Sequence, residues 1–501
     1  MSFGGDYRRL APYAVPFNPA VSYFFIFESD IEANTNANGF AQAFGPAHPL
    51  YTNYSLFAQA TDRLSLSLGL RWDVNPAPGV TEGQMPYTLS FQGPPSSWTL
   101  QPAGRPLWKT TWFNFAPRLG AAYIIRNRPG WETVVRAGGG LFFDSGRQAG
   151  SLGFEGPGFS GIDGSIDPAL GFPGTVVAPP VQPPDAGPFH QAVGYYPHLQ
   201  LPYTLEWNGS IEQALGNSQA VTLSYVGSHA GRLLQTNQYN TPTVFQLFGI
   251  QNGLTSDYDA AQVQFRRRLS RGLTALGSYT WSHCQDYGST NVTFGYQRGN
   301  CDFDVRHNLQ AAFSYDLPNA GHGGLAGALL HHWGIDDRFM ARTAFPITLR
   351  GNQLPQSNGK IYDGGLSLVP GEPIYLYGAN FPGGRAINPN AFTLVNSGFG
   401  DAPRNFARGF GAWQMNLGVR RDFPIHERLS LQFRAEAFNV FNHANFGAIV
   451  DHCSGQAGVR GCTNPQFGQA TATLANSLGV LNPLYQMGGP RSMQFALKVV
   501  F

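Results

Sequence analysis

The chain has 501 residues, with 32 Lys and Arg against 30 Asp and Glu, a net charge of +2, and only 12% charged residues, roughly half the share of a soluble globular protein. The small net charge and the lack of any Lys/Arg block of five exclude a nucleic-acid partner; the triplet Arg266-Arg267-Arg268 is the densest basic spot. No stretch approaches the roughly 18 consecutive apolar residues of a membrane helix. Instead 62 Gly, 37 Pro and 14% aromatics accompany a mean hydropathy of -0.20, as strands alternating between apolar and polar faces would give.

In chain order, the first twenty residues carry Asp6, Arg8 and Arg9 without an apolar run, so no secretory signal peptide is expected, and the chain reads as the downstream part of a longer product. A first strand is predicted at about 20–28. Residues 52–60 and 64–74 form a hairpin around Thr61-Asp62-Arg63, with Leu64, Leu66, Leu68, Leu70, Trp72 and Val74 on one face and Ser65, Ser67, Gly69, Arg71 and Asp73 on the other. Further hairpins pair 113–125 with 132–145, 203–214 with 219–228, 257–269 with 272–284, 306–317 with 332–349, and 412–423 with 428–440. The last strand runs to the C-terminus, placing Met493, Phe495, Leu497, Val499 and Phe501 on one face.

The turns within these hairpins are short. Between them lie connections near 75–111, 146–202, 229–256, 285–305, 351–411 and 441–490, far longer than the roughly five residues usual in a compact soluble domain. This asymmetry predicts an all-β fold: one transmembrane antiparallel β-barrel of about fourteen strands over 1–501, with long loops outside and both termini on the short-turn side. Trp72, Trp112, Trp207, Trp281 and Trp413 all fall near the long-loop ends of their strands, as an interfacial girdle would. The long loops are rich in Gly and Pro, as in Gly153 to Gly164 and Pro179-Pro180-Val181-Gln182-Pro183-Pro184, which argues against buried helices. Cys284 with Cys301 and Cys453 with Cys462 are expected as two local disulfides of an oxidising compartment, with free thiols or a metal site as the alternatives.

The faces opposite the apolar ones carry Arg71, Asp73, Arg118, Arg136, Glu206, Glu212, Arg266, Arg268, Arg420, Asp422, Arg434 and Glu436, which would line a polar lumen. A charge on the lipid face costs up to about 2–4 kcal/mol at mid-depth, so the sign of the alternation is enforced. His322, His331 and His332 around one turn, and His443 and His452 in one loop, lack the spacing of a metal motif and read as solvated. Gly138-Gly139-Gly140 lies within a strand pattern and suggests a bend or close backbone approach. No hydrolase, phosphate-binding or metalloprotease signature occurs, so neither an enzyme nor a cofactor is expected.

The closing strand, with Phe495, Leu497, Val499 and the terminal Phe501, resembles the C-terminal signal by which bacterial outer-membrane barrels are recognised for insertion by the barrel-assembly machinery. Asn416-Leu-Gly-Val-Arg-Arg-Asp-Phe423 and Leu429-Ser-Leu-Gln-Phe-Arg-Ala-Glu-Ala-Phe-Asn-Val-Phe-Asn-His-Ala-Asn-Phe-Gly447 resemble the penultimate hairpin of TonB-dependent receptors of the Oar-like type, which carry a carboxypeptidase-regulatory-like domain. Asp257 to Leu269, Tyr279-Thr-Trp-Ser282 and Asp304-Val-Arg-His-Asn308 extend that resemblance from about residue 50 to the end. It implies a receptor in the bacterial outer membrane that contacts lipid, binds a bulky solute outside and takes it up through the TonB complex. No regulatory-like domain, plug or TonB-contacting segment is read ahead of the first strands, and about fourteen strands fall short of the roughly 22 of a plugged transporter. The chain is therefore expected to be the C-terminal portion of such a barrel, the TonB complex being a partner only of a full-length protein. A passive structural, adhesive or porin-like barrel is the alternative.

Overall fold

The computed structural model describes residues 2–10, 21–25, 39–44, 49–60, 64–80, 83–94, 97–102, 104–144, 149–163, 187–239, 244–288, 297–319, 331–355, 361–426, 429–474 and 488–500, together with 181, 183 and 185. Phe501, His322, the Thr61-Asp62-Arg63 turn and most of 164–186 lie outside the described residues.

A single antiparallel ladder dominates. Its strands are β1 (Ser2–Leu10), β2 (Pro49–Ala60), β3 (Leu64–Asn75), β4 (Thr111–Arg126), β5 (Thr133–Phe143), β6 (Tyr203–Leu215) and β7 (Gln219–Tyr239), followed by β8 (Val244–Ser270), β9 (Leu273–Asp286), β10 (His307–Asp316), β11 (Trp333–Arg342), β12 (Ala412–His426), β13 (Leu429–Phe438) and β14 (Ser492–Val500). Each is hydrogen-bonded to the next. Among the described residues no register joins β1 to β14. Ser2 stands opposite Gln59 and Val500 opposite Ser430, so both ends of the ladder lie on the short-turn side.

The sequence fixes the two faces. On β3, Leu64, Leu68, Leu70 and Trp72 are exposed while Asp73 is fully buried; on β14, Met493, Phe495, Leu497 and Val499 are 55–70% exposed. Apolar side chains that a soluble fold would bury stand outward along one whole face. The β8–β9 turn shows why these hairpins are tight: Arg271 and Gly272 both have positive φ, 51° and 76°, the two-residue geometry whose twist matches that of the flanking strands. Trp131 and Trp333 add aromatics at the short-turn ends of β5 and β11.

Three expectations need correction. The first ladder strand is β1 rather than 20–28. Val21–Phe25 instead pairs with Gly39–Phe44, which pairs with Ser160–Asp163 in a separate small sheet. Five residues fall short of the roughly nine needed to cross a bilayer, whereas β1 has nine. Second, 229–256 is largely an extension of β7 and β8, an arm beyond the rest of the ladder, bent at a register shift near Arg232, whose φ is 55°. Gly231, Gly249 and Gly253 suggest turns, but the arm is held by packing: Phe189–Tyr195 runs parallel to Val244–Ile250, burying Val244, Leu247 and Ile250 against Trp98, Trp108 and Tyr195. Third, the strand predicted at 332–349 ends at Arg342.

Beyond Arg342 the chain enters a packed outer layer rather than an open loop. Leu349, Leu366, Ile387, Phe392, Leu394 and Phe467 form a core in which each is at most 5% exposed, and burying each such side chain contributes about 1.5–3 kcal/mol. Cys453, itself buried in that core, is bonded to Cys462 packed against it, and Cys284 to Cys301 at the outer end of β9. Closing the short 453–462 loop should stabilise the layer by about 2–3 kcal/mol. The Cys453→Ser/Cys462→Ser variant is therefore expected to lose protease resistance in 344–411 and 441–474, outside β12 and β13, while the ladder keeps its heat-resistant gel mobility; unchanged resistance would show the bond to be idle.

Candidate functional site

The inner face of the ladder carries charge in short, paired groups. Arg71 bonds Asp73 at 2.8 Å along β3, and Arg136 bonds Glu212 at 3.0 Å between β5 and β6. Arg420 reaches Asp316 at 2.5 Å, Asp336 at 3.2 Å and Asp422 at 3.8 Å, while Arg434 reaches Glu436 at 3.1 Å and Asp336 at 3.5 Å. Asp336 thus bridges two arginines contributed by β12 and β13. Pairing across neighbouring strands is what alternation dictates, because residues in register share a face.

Arg118 and Glu206 differ: Arg118 lies over the Phe142 ring at 4.3 Å, and the two frame a cavity of about 440 Å³ with Asn208, Ser65 and Ser67, floored by Gly120, Gly138 and Gly140. Arg266 and Arg268 line a second cavity, about 330 Å³, with Glu132 and Glu212 at the short-turn end. The sequence-predicted inner charges therefore resolve into two paired clusters, β5–β6 and β10–β13, the local Arg71–Asp73 pair, and two recesses.

A second constellation, unrecognised from sequence, ties the outer layer to the ladder. Arg404, with a side chain 2% exposed, pairs with Asp286 at the end of β9 and with Asp302, and donates to the Gln297 and Asp286 carbonyls. Asn405 donates to Asp302 and to the Asn300 carbonyl. Asp304, 1% exposed, accepts from Arg408, Arg306 and the Cys284 amide. Burial pushes the Asp304 carboxyl up, but the Arg408 hydrogen bond, the Cys284 amide and the charges of Arg408 and Arg306 outweigh it and hold it below its ordinary 3.8. A depressed folded-state value stabilises above the unfolded value and is lost as pH falls through the folded one. Protease resistance of the outer layer is thus expected to hold from neutral pH to near 3.8 and fall below it, and Asp304→Asn to flatten that acid limb; an identical acid limb in the variant would refute the assignment.

The asparagine-rich stretch after β13 has a physical role. Asn439 and Asn442 take φ of 49° and 50°, the left-handed region asparagine tolerates. Asn439, 2% exposed, donates to the His443 and Gly489 carbonyls, and Asn445 exchanges reciprocal bonds with the Trp413 backbone at 2.8 and 3.0 Å. The start of β12, the end of β13 and the approach to β14 are locked together. His443 lies flat on Trp413 at 4.3 Å, His452 bonds Ser454, and His331 packs edge-on against His332.

Comparison with solved structures finds the pyoverdine receptor FpvA of Pseudomonas aeruginosa (11% identity, 93% of this chain, 43% of that chain, TM-score 0.42) and the FrpB iron transporter of Neisseria meningitidis (10%, 99%, 52%, 0.42). The copper transporter OprC matches at 11% identity over 93% of this chain and 52% of that chain, with a TM-score of 0.40. The chain spans 38–46% of the length of the first three structures it matches. No curated protein matches the sequence. The family model for the outer membrane beta barrel domain matches residues 1–494, nearly the whole chain, and the protein therefore belongs to that family, as a barrel of the bacterial outer membrane.

Proposed function

We propose that this chain is the barrel of a TonB-dependent uptake receptor of the Oar-like type, binding a bulky solute at its outer layer and passing it through the polar lumen. The observation that carries the reading is the division of labour in the ladder. An exposed apolar face suits lipid, the opposite face bears ion pairs, and among the described residues the long connections form a folded layer, cross-linked by Arg404 and two disulfides, on one side. A receptor needs such a preorganised surface, because loops ordered before binding forfeit less entropy when the solute arrives. The Oar-like segments supply the asparagine lock around Asn439 and Asn445. Exposed Phe495, Leu497 and Val499 on β14 are the residues the barrel-assembly machinery would read, and energised uptake would engage the TonB complex through a plug.

The test is the reading frame upstream of Met1, together with fractionation of the expressed protein. An in-frame plug and TonB-contacting segment, with the product in the outer membrane and heat-modifiable on gels, is the expected result. A signal peptide directly ahead of residue 1 would overturn the receptor reading in favour of a small passive barrel.

A further inference from the structure

On the inner face of β3 to β6 two register rows run side by side. One comprises Gly69, Arg118, Gly140 and Glu206; the other, Ser67, Gly120, Gly138 and Asn208. Between Arg118 and Glu206 the intervening residue is a glycine, and between Ser67 and Asn208 both intervening residues are. The missing side chains open the cavity of about 440 Å³. The backbone enforces two of the glycines: a Cβ on Gly140 would stand 3.0 Å from Arg118 Cγ and 3.2 Å from the Pro117 carbonyl, and one on Gly138 would stand 3.2 Å from the Leu119 carbonyl.

The charges at the rim are available. Arg71, Arg136, Arg420 and Arg434 each hold a carboxylate on the same face, whereas Arg118 and Glu206, in one register row, form no ion pair among the described residues, and Arg118 rests on the Phe142 ring. Two strand spacings separate their backbones, roughly 9.5 Å. A guanidinium and a carboxylate facing one another across a bare floor match a ligand that is itself dipolar. A simple anion would be repelled by Glu206 and a simple cation by Arg118.

We propose that this recess is a binding site for a small zwitterion of the unblocked-peptide class, whose carboxylate meets Arg118 and whose ammonium meets Glu206. An extended chain of two or three residues spans about 7–11 Å, the length the row offers. Its amides lie over the glycine floor, within range of Asn208 and Ser67, whose side chains border the recess. Arg118 presents its fork to a carboxylate, and Phe142 holds the guanidinium in place.

The site rests on the reading of the lumen as a solute path, and its test is binding rather than uptake. Titration calorimetry of the full-length chain in detergent micelles, with triglycine as probe, is expected to give saturable heat. N-acetyl-triglycine and triglycine amide should each bind at least tenfold more weakly, and maltotriose not at all. Arg118→Gln and Glu206→Gln should each weaken triglycine at least tenfold. Gly120→Leu should abolish binding without disturbing the ladder, since a Cβ there stands an ordinary 3.6 Å from Ser67 Cβ. No triglycine heat, equal affinity for the blocked peptides, or indifference to all three substitutions would overturn the site. Those results leave the receptor reading standing, because the upstream frame decides it independently; a missing plug sequence with intact triglycine binding would sink only the receptor.

Discussion

Replacing Arg404 by alanine is expected to destabilise the outer layer by about 3–5 kcal/mol, the magnitude seen when one member of a buried ion pair is removed. Arg404 is almost wholly enclosed, and its partners Asp286 and Asp302 have side chains 11% and 27% exposed. Truncation would remove the Arg404 charge from two carboxylates and its hydrogen bonds from two carbonyls, at a largely enclosed site. The effect is large because one residue joins three segments: the end of β9, the Gln297 to Asp302 stretch and the strap before β12. Arg460→Ala is the internal control. That guanidinium pairs with Glu372 but is half exposed, so its loss should cost no more than about 1 kcal/mol. Limited proteolysis of the folded barrel reads both. Comparable cleavage rates in the two variants would mean that the Arg404 cluster is not the tie between layer and ladder.

The ladder was legible in the sequence because its signal is local. Leu64 to Trp72 and Met493 to Val499 declare their faces by alternation within one strand, and the Gly-rich turns declare the hairpins. The exception is instructive. Val21–Phe25 is an apolar run, which periodicity alone cannot assign to a ladder rather than to a small sheet, while Ser2–Leu10, with two glycines and three charges, gave no such signal. The outer layer was illegible for the opposite reason. Its contacts span long separations, 118 residues between Arg404 and Asp286 and 101 between Arg350 and Asp451, and nothing local in a Gly/Pro-rich stretch reports its distant partner. The inner charges lie between these cases: alternation placed Arg118 and Glu206 on the lumen face, but that they share one row with a glycine between them follows only from the register of three strands.

Asp336 and Asp337 put this distinction to the sharpest test, because two adjacent, chemically identical residues are expected to respond to leucine with opposite signs. Asp336 faces inward and serves Arg420, Arg434 and the Ser314 hydroxyl. Asp336→Leu removes one carboxylate from both guanidiniums, which keep Asp316, Asp422 and Glu436, and should destabilise the barrel by roughly 2 kcal/mol. Asp337 stands on the apolar face, in register with Phe313 and Leu417 and between Ile335 and Phe339. It is midway between Trp333 at the short-turn end and Ala341, which is opposite Trp413 near the outer end. Its side chain is buried, with Oδ1 lacking any hydrogen-bond partner. A carboxyl so placed forfeits hydration for no more than a backbone hydrogen bond from the Arg338 amide, so Asp337→Leu should stabilise by up to about 2 kcal/mol, carboxylates being penalised less at mid-depth than the 2–4 kcal/mol of Arg or Lys. Urea unfolding of the barrel refolded into lipid vesicles measures both midpoints. If the two variants shift in the same direction, the inward and outward faces of β11 have been assigned wrongly, and with them the polarity of the ladder from β10 to β12.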